Sequence, residues 1–332
     1  MENLKILNLE NLFANLKQYE SKKLCIMVKS NAYGHGLEEI VELLRDRVDY
    51  FGVANIEEAI RVRRIASTPG LIVGEVTNFK ECAKHNIEFM VDDEVSLRSA
   101  INFGVKDKCH LKINCGMNRF GVASTLNMKI LDNILCENSV KLKSVYTHFP
   151  NTASPKQTEE NYQRFLKVKR QLSQVAPVCL GGSDIANYPF EYDMLRLGIG
   201  LYGYGSKVLK PVMKLQSYVC RTFYAGAGEY VGYGHACYVE TAGKYAVVPV
   251  GYGDGFSRRL SGKVSVKIND RKYPVVGNIC MDVFFVKIDE RVKVGDAVTV
   301  MDDAEVFAKK LGTISYEVLT GFSNFRGKTK IE

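Results

Sequence analysis

Lys29 is the residue on which any chemistry of this sequence turns. It ends the apolar run Leu24-Cys25-Ile26-Met27-Val28 and opens Ser30-Asn31-Ala32-Tyr33-Gly34-His35-Gly36, a polar turn with two glycines. A lysine at a strand end is most often a solvated boundary residue. Here Asn31, Tyr33 and His35 crowd hydrogen-bonding groups between the turn glycines. A buried strand would deliver the amine to one fixed place, and burial disfavours the ammonium, leaving a nucleophilic amine. Further along stand His148, the Gly182-Ser183 pair, Arg196 and Gly198-Ile199. Gly198 would let backbone approach a phosphate closely, and Ser183 would donate its hydroxyl. Singly, each is an ordinary turn or strand residue; they gain meaning only if the fold gathers them on one face.

The elements that would position them are legible as pattern. Eight short runs of β type recur: Leu24 to Val28, Tyr50 to Ala54, Leu71 to Val76, Glu88 to Val91, His110 to Ile113, Leu142 to Thr147, Val178 to Leu180 and Met194 to Leu201. Most gaps hold helical periodicity, as in Glu38 to Arg47, in Ile56 to Ala66 after the N-cap candidate Asn55, and in Glu160 to Gln174. Strand–helix alternation predicts parallel strands with crossover helices. The count favours a (β/α)8 TIM barrel over an open doubly wound sheet, though the last unit is poorly marked. In a barrel, Lys29, His148, Ser183 and Arg196 fall at or near strand C-termini, the face where function gathers.

Past Leu209 the texture changes. Ser217 to Tyr224, Lys244 to Val250, Lys263 to Ile268 and Ala297 to Val300 alternate or are β-branched, with turn signals between them and one clear helix at Ala304 to Leu311. The expected division is an α/β domain over 1–210 and a mainly β domain over 211–332.

The string from Lys29 to Gly36 resembles the Lys-x-Asn-Ala-Tyr-Gly-His-Gly signature of alanine racemases, whose lysine carries pyridoxal 5′-phosphate (PLP) as a Schiff base. The resemblance runs on in family order. Leu111 to Gly121 is similar to the segment whose arginine touches the cofactor's phenolic oxygen and whose lysine is often carbamylated, implying Arg119 and Lys112. Tyr146-Thr147-His148-Phe149 resembles the family's Thr-His-Phe. Asp193 to Ile199 resembles the segment whose arginine meets the pyridine nitrogen, implying Arg196, with Ser183, Gly198 and Ile199 at the phosphate. Gly251-Tyr252-Gly253-Asp254-Gly255 resembles the motif of the second base, a tyrosine that reaches into the other subunit. Val276 to Asp282 is similar to the segment whose methionine lines the substrate pocket, implying Met281. Ser315-Tyr316-Glu317 implies Tyr316 at the phosphate, opposite Tyr33.

The implied chemistry has a physical logic. Arginine is effectively always protonated, so it would donate to a pyridine nitrogen without yielding a proton, leaving a weaker electron sink. Racemisation needs proton donors on both faces of one carbon. A tyrosine with a reference pKa of about 10 needs help, and His148 is the neighbour to polarise it. Lys112 beside Arg119 would be a like-charge pair, which a carbamate relieves by reversing one charge. The resemblance thus implies interconversion of L- and D-alanine by Lys29 and Tyr252 in a homodimer, supplying D-alanine for peptidoglycan. The sequence departs from the family at Asn114 and Cys115 in place of Asp-Thr, at Leu197 and Gly253, and in the tail Phe325-Arg326-Gly327-Lys328. Alternatives on related scaffolds are a serine or lysine racemase, a PLP-dependent decarboxylase and a PLP-holding protein; Tyr252 and its domain argue against the last two.

Composition sets the frame. The chain has 332 residues, 46% hydrophobic and 25% charged, as in ordinary globular proteins. A net charge of +8 with interleaved signs gives no nucleic-acid surface. Nine cysteines without a Cys-x-x-Cys pair predict reduced thiols, and no signal-peptide or membrane-length run is visible. A cytoplasmic protein without a metal is the expectation, because its five histidines do not cluster with carboxylates.

Overall fold

The computed structural model describes residues 1–332. It comprises two compact units, one of Asn15–Ala32 with Leu37–Leu201, the other of Met1–Ala14, Tyr33–Gly36 and Tyr202–Glu332. The first strand, β1 (Leu4–Leu7), therefore belongs with the C-terminal part of the chain.

The larger unit is a closed barrel of eight parallel strands: β2 (Lys23–Met27), β3 (Tyr50–Val53), β4 (Gly70–Ile72), β5 (Glu88–Val91), β6 (Cys109–Lys112), β7 (Ser144–His148), β8 (Val178–Gly181) and β9 (Met194–Leu197). β2 closes on β9, Cys25 opposite Arg196. The open doubly wound sheet is thereby excluded. The strands read as near-continuous apolar runs because both faces are covered. Side chains from several strands, among them Cys25, Leu71, Met90, Tyr146, Cys179 and Met194, fill the interior. Polar pairing is also buried there: His110 lies 2.7 Å from Glu88 Oε2 and 2.7 Å from Ser144 Oγ.

Crossover helices follow the expected pattern with shifted ends. Ile56–Ile65 starts at Asn55, whose side chain accepts from the Glu58 N–H at 2.9 Å, as an N-cap should. The helix expected over 160–174 runs from Pro155 to Lys169, because Ser154 caps it and Pro155 suits its first turn.

The other unit carries a nine-stranded sheet. Its later strands are β10 (Met213–Tyr218), β11 (Arg221–Ala225), β12 (Tyr230–Val231), β13 (Cys237–Tyr238), β14 (Gly243–Val248), β15 (Ser265–Ile268), β16 (Arg271–Val276), β17 (Phe284–Ile288), β18 (Ala297–Met301) and β19 (Lys328–Ile331). Their order is β11-β14-β17-β16-β15-β18-β10-β1-β19, with β12 and β13 forming a separate hairpin. The single strand expected over 217–224 is two strands, β10 and β11, because the chain changes partner there: Val219 donates to the carbonyl of Asp296, next to β18, at 2.9 Å, and Cys220 to that of Val247 in β14 at 3.0 Å. β1 pairs antiparallel with β10 and parallel with the edge strand β19, tying both chain ends into one sheet. No helix is long and apolar enough to cross a membrane.

Candidate active site

Lys29 follows the end of β2 and is half-buried. Its amine is held below the ordinary lysine value, first by burial and then by the positive charges of Arg119 and Arg196, with Glu58 opposing. The chain next winds through four consecutive left-handed residues, Ser30, Asn31, Ala32 and Tyr33, with φ of 54°, 54°, 51° and 55°. Non-glycine residues visit this region rarely and at a cost. Local bonds hold it: Glu58 accepts from the Ser30 N–H at 2.7 Å and the Ala54 N–H at 2.8 Å, and Asn31 Oδ1 accepts from the Leu37 N–H at 2.9 Å. Glu58 went unread in the sequence because its partners are set by folding.

Arg196 is buried in β9, only 5% exposed. Its Nη2 donates to the Thr147 carbonyl at 2.7 Å, Nη1 lies 3.6 Å from Cys179 Sγ, and the guanidinium carbon sits 4.5 Å from the Tyr146 ring centre. His148 ends β7 and is neutral: burial, then Arg196, Arg119, Lys112 and Lys29, pull its pKa down to about 3. Lys112 is not a solvated strand residue. It is 5% exposed, 5.1 Å from the Phe120 ring centre and 5.7 Å from that of Tyr146, and its pKa falls to about 7 through burial and then Arg196 and Arg119.

Arg119 is exposed beside a cavity of about 530 Å³ that Asp92, Asn114 and Phe120 also line. The departure at Asn114 has a structural role. Its Oδ1 accepts from the Gly116 N–H at 2.9 Å and the Asn118 N–H at 3.1 Å, folding the loop ahead of Arg119. Cys115, the second departure, donates its thiol to the His148 carbonyl at 3.4 Å.

After β8 and β9 the backbone closes on itself. Ser183 Oγ accepts from the Gly200 N–H at 2.9 Å. A β-carbon on Gly200 would lie 2.6 Å from the Tyr19 hydroxyl and 2.8 Å from Ser183 Cβ. The phosphate motif expected at Gly198 and Ile199 extends one residue further. Gly200 is that residue, and the second glycine of Gly198-Ile199-Gly200 is its mark in the sequence.

In the other unit, Tyr33 packs between Tyr202 (ring centres 5.1 Å) and Tyr316 (5.8 Å). Gly34 fits where a β-carbon would lie 2.1 Å from the Leu319 carbonyl, which holds this turn against the helix Ser315–Gly321. Tyr252 and Met281 are exposed, 43% and 55%. Their segments are stitched together, Tyr252 N–H donating to the Cys280 carbonyl at 3.0 Å and Gly253 N–H to that of Met281 at 2.9 Å.

The residues fit a phosphorylated aldehyde cofactor. A lysine amine with a depressed pKa stands at a strand C-terminus, a fixed guanidinium shares its field, and Gly200 closes on Ser183 and Tyr19 too tightly to carry a β-carbon.

Comparison with known proteins agrees over the whole chain. Residues 7–206 match the family description "Alanine racemase, N-terminal domain", and residues 212–329 match "Alanine racemase, C-terminal domain". The chain is 32% identical over 332 residues to an alanine racemase of Francisella philomiragia, covering 90% of each. It is 33% identical over 344 residues to one of Francisella tularensis subsp. holarctica, covering 94% of each. Among solved structures, alanine racemase from E. faecalis superposes with a TM-score of 0.92 at 26% identity, covering 100% of this chain and 98% of that one. That from Clostridium difficile 630 gives 0.88 at 30% identity, covering 100% and 96%. Matched in both domains and along nearly its full length, the chain belongs to the alanine racemase family.

Proposed function

We propose that the chain interconverts L-alanine and D-alanine with PLP held on Lys29, using Lys29 and Tyr252 as its two bases and supplying D-alanine for peptidoglycan. When bound, PLP supplies the electron sink that acidifies the substrate Cα–H. The observation that carries the reading is the Lys29 amine: its ammonium is disfavoured by burial and by Arg119 and Arg196, as a lysine that must bond a carbonyl and then exchange a proton requires.

The other residues take supporting roles. Arg196, fixed by its bond to the Thr147 carbonyl, would offer the pyridine nitrogen a permanent cation that donates without yielding its proton. Ser183 and the backbone of Gly198, Ile199 and Gly200 would hold the phosphate, and the family resemblance assigns Tyr33 and Tyr316 to the same group. Arg119 serves the phenolic oxygen and the substrate carboxylate, and Met281 lines the substrate pocket. His148, kept neutral by burial and the surrounding cations, would accept a hydrogen bond from the partner's Tyr252 and polarise its hydroxyl. Lys112, with a pKa of about 7, holds enough free amine to take up carbon dioxide as a carbamate, replacing a repelled cation by an anion beside Arg119.

Tyr252 and Met281 are exposed, which suits a homodimer in which each copy completes the other's site. Residues 1–210 bind the cofactor in this reading, and 211–332 contribute Tyr252, Met281 and Tyr316. The nine cysteines form no disulfide, in keeping with a reducing cytosol.

The test is polarimetry of the PLP-loaded protein with L-alanine, with L-serine and L-lysine run alongside. Rotation decays to zero with L-alanine. Equal or faster decay with another amino acid reassigns the substrate, and no decay with any of them overturns the racemase reading.

A further inference from the structure

Arg326 lies in a tail segment that departs from the family pattern, and nothing in the catalytic reading uses it. Its guanidinium grips Asp254 side-on, Nε to Oδ1 at 2.6 Å and Nη2 to Oδ2 at 2.9 Å, while Nη1 reaches Asp282 Oδ1 at 2.8 Å. Asp254 is 1% exposed, and its Oδ2 also accepts from the Gly251 N–H at 2.9 Å. The carboxylate therefore closes the tight turn that begins at Gly251, with Tyr252 at its outer corner. Asp282 follows Met281, whose carbonyl accepts from Gly253 at 2.9 Å. One planar fork thus joins the turn presenting Tyr252 to the segment presenting Met281, the geometry for which arginine, unlike lysine, is suited.

The fork is itself anchored. Gly327 sits where a β-carbon would lie 2.5 Å from the Asn3 carbonyl, and Lys328 N–H donates to that carbonyl at 3.0 Å, where β19 begins to pair with β1. The approach to Tyr252 is equally restricted: a β-carbon on Gly251 would lie 2.2 Å from the Met281 carbonyl and one on Gly255, at φ +98°, 2.2 Å from that of Gly321. The turn has little freedom except through its carboxylate clamp.

We propose that Arg326 is a positioning residue for Tyr252, holding the second base and Met281 in one fixed arrangement through Asp254 and Asp282. This rests on the reading of Tyr252 as the base acting on L-alanine. Arg326 directly precedes the point where β19 pairs with β1, which sets where its guanidinium stands.

The experiment uses the PLP-loaded enzyme, with Arg326→Ala, Arg326→Lys, Asp282→Asn and Tyr252→Phe compared with the parent. Turnover of Cα-deuterated L- and D-alanine is measured, with amide deuterium exchange of residues 251–256 followed by mass spectrometry. Arg326→Ala lowers kcat by about 10- to 100-fold, the scale of a small misplacement of a reacting group. The primary isotope effect grows from L-alanine and does not grow from D-alanine, because only the Tyr252 step is slowed. The 251–256 amides exchange faster. Arg326→Lys recovers part of each change, and Asp282→Asn, which keeps the Asp254 pair, shifts them less. A merely structural loss would scale both rates and leave both isotope effects where they were, and that result, or unchanged amide exchange, overturns the proposal. Tyr252→Phe separates the two readings. If it turns over L-alanine like the parent, the base assignment fails and this proposal with it. If it is inactive while the Arg326 variants behave as the parent, the clamp alone fails. Should Arg326→Ala not fold, the Lys and Asn variants decide.

Discussion

A β-carbon on Gly181 would lie 2.0 Å from Nη2 of Arg196. The last residue of β8 is thus bare so that the guanidinium of β9 can lie across it and reach the Thr147 carbonyl at 2.7 Å. The same hypothetical atom would stand 2.8 Å from His148 Nδ1, so one glycine makes room for two side chains of the candidate site.

Gly181→Ala should therefore displace Arg196 and His148 together. The expected result is a fall in kcat on the order of 100-fold with a smaller change in KM. Steady-state rates in both directions, with a thermal melt to show that the barrel persists, check it.

Ser183→Ala removes the acceptor for the Gly200 N–H and leaves a nearly inaccessible turn one bond short. A lost hydrogen bond near a charged ligand weakens PLP binding about tenfold. Equilibrium dialysis of the apoprotein against PLP measures this without reference to turnover.

Lys29→Ala should leave the fold intact and abolish covalent capture. Borohydride reduction of the PLP-loaded parent adds the cofactor's mass less one oxygen to the peptide bearing Lys29, since water leaves on condensation and two hydrogens are added, and the same treatment of the variant adds none there. Modification of a different lysine in the parent would refute the assignment.

Lys112 gives a pH prediction with a definite sign. Its folded pKa of about 7 lies below the ordinary 10.5, so between those values the unfolded chain binds the extra proton. In carbon dioxide-free buffer its contribution makes stability rise with pH across that window, by at most about 1.4 kcal/mol per pH unit, and the full penalty is present below pH 7. Urea titrations of the parent and Lys112→Met should converge near pH 10 and diverge toward pH 7, the variant being the more stable. Added bicarbonate should shift the parent and leave the variant where it was.

Much of this was readable before folding because it is local. Buried parallel strands are continuous apolar runs, so the eight barrel strands stood out, and the helix beginning after Asn55 was marked by a cap that acts over three residues. The motif around Lys29 carried its chemistry in adjacent residue types. The buried state of Lys112 was not readable, since a lysine in a strand carries no mark of the rings and guanidinium groups that will surround it.

What the amino-acid sequence determined by itself was the barrel and the family, encoded in periodicity and in contiguous motifs. Tertiary structure alone decided that Leu4–Leu7 and Lys328–Ile331 lie side by side, and that Glu58 holds the turn after Lys29. It alone decided that Gly200 closes on Ser183 and that Arg326 ties Asp254 to Asp282. These contacts join residues far apart in the chain. No propensity or spacing specifies them; they follow from strand register and from backbone approaches that exist only once the sheets have closed.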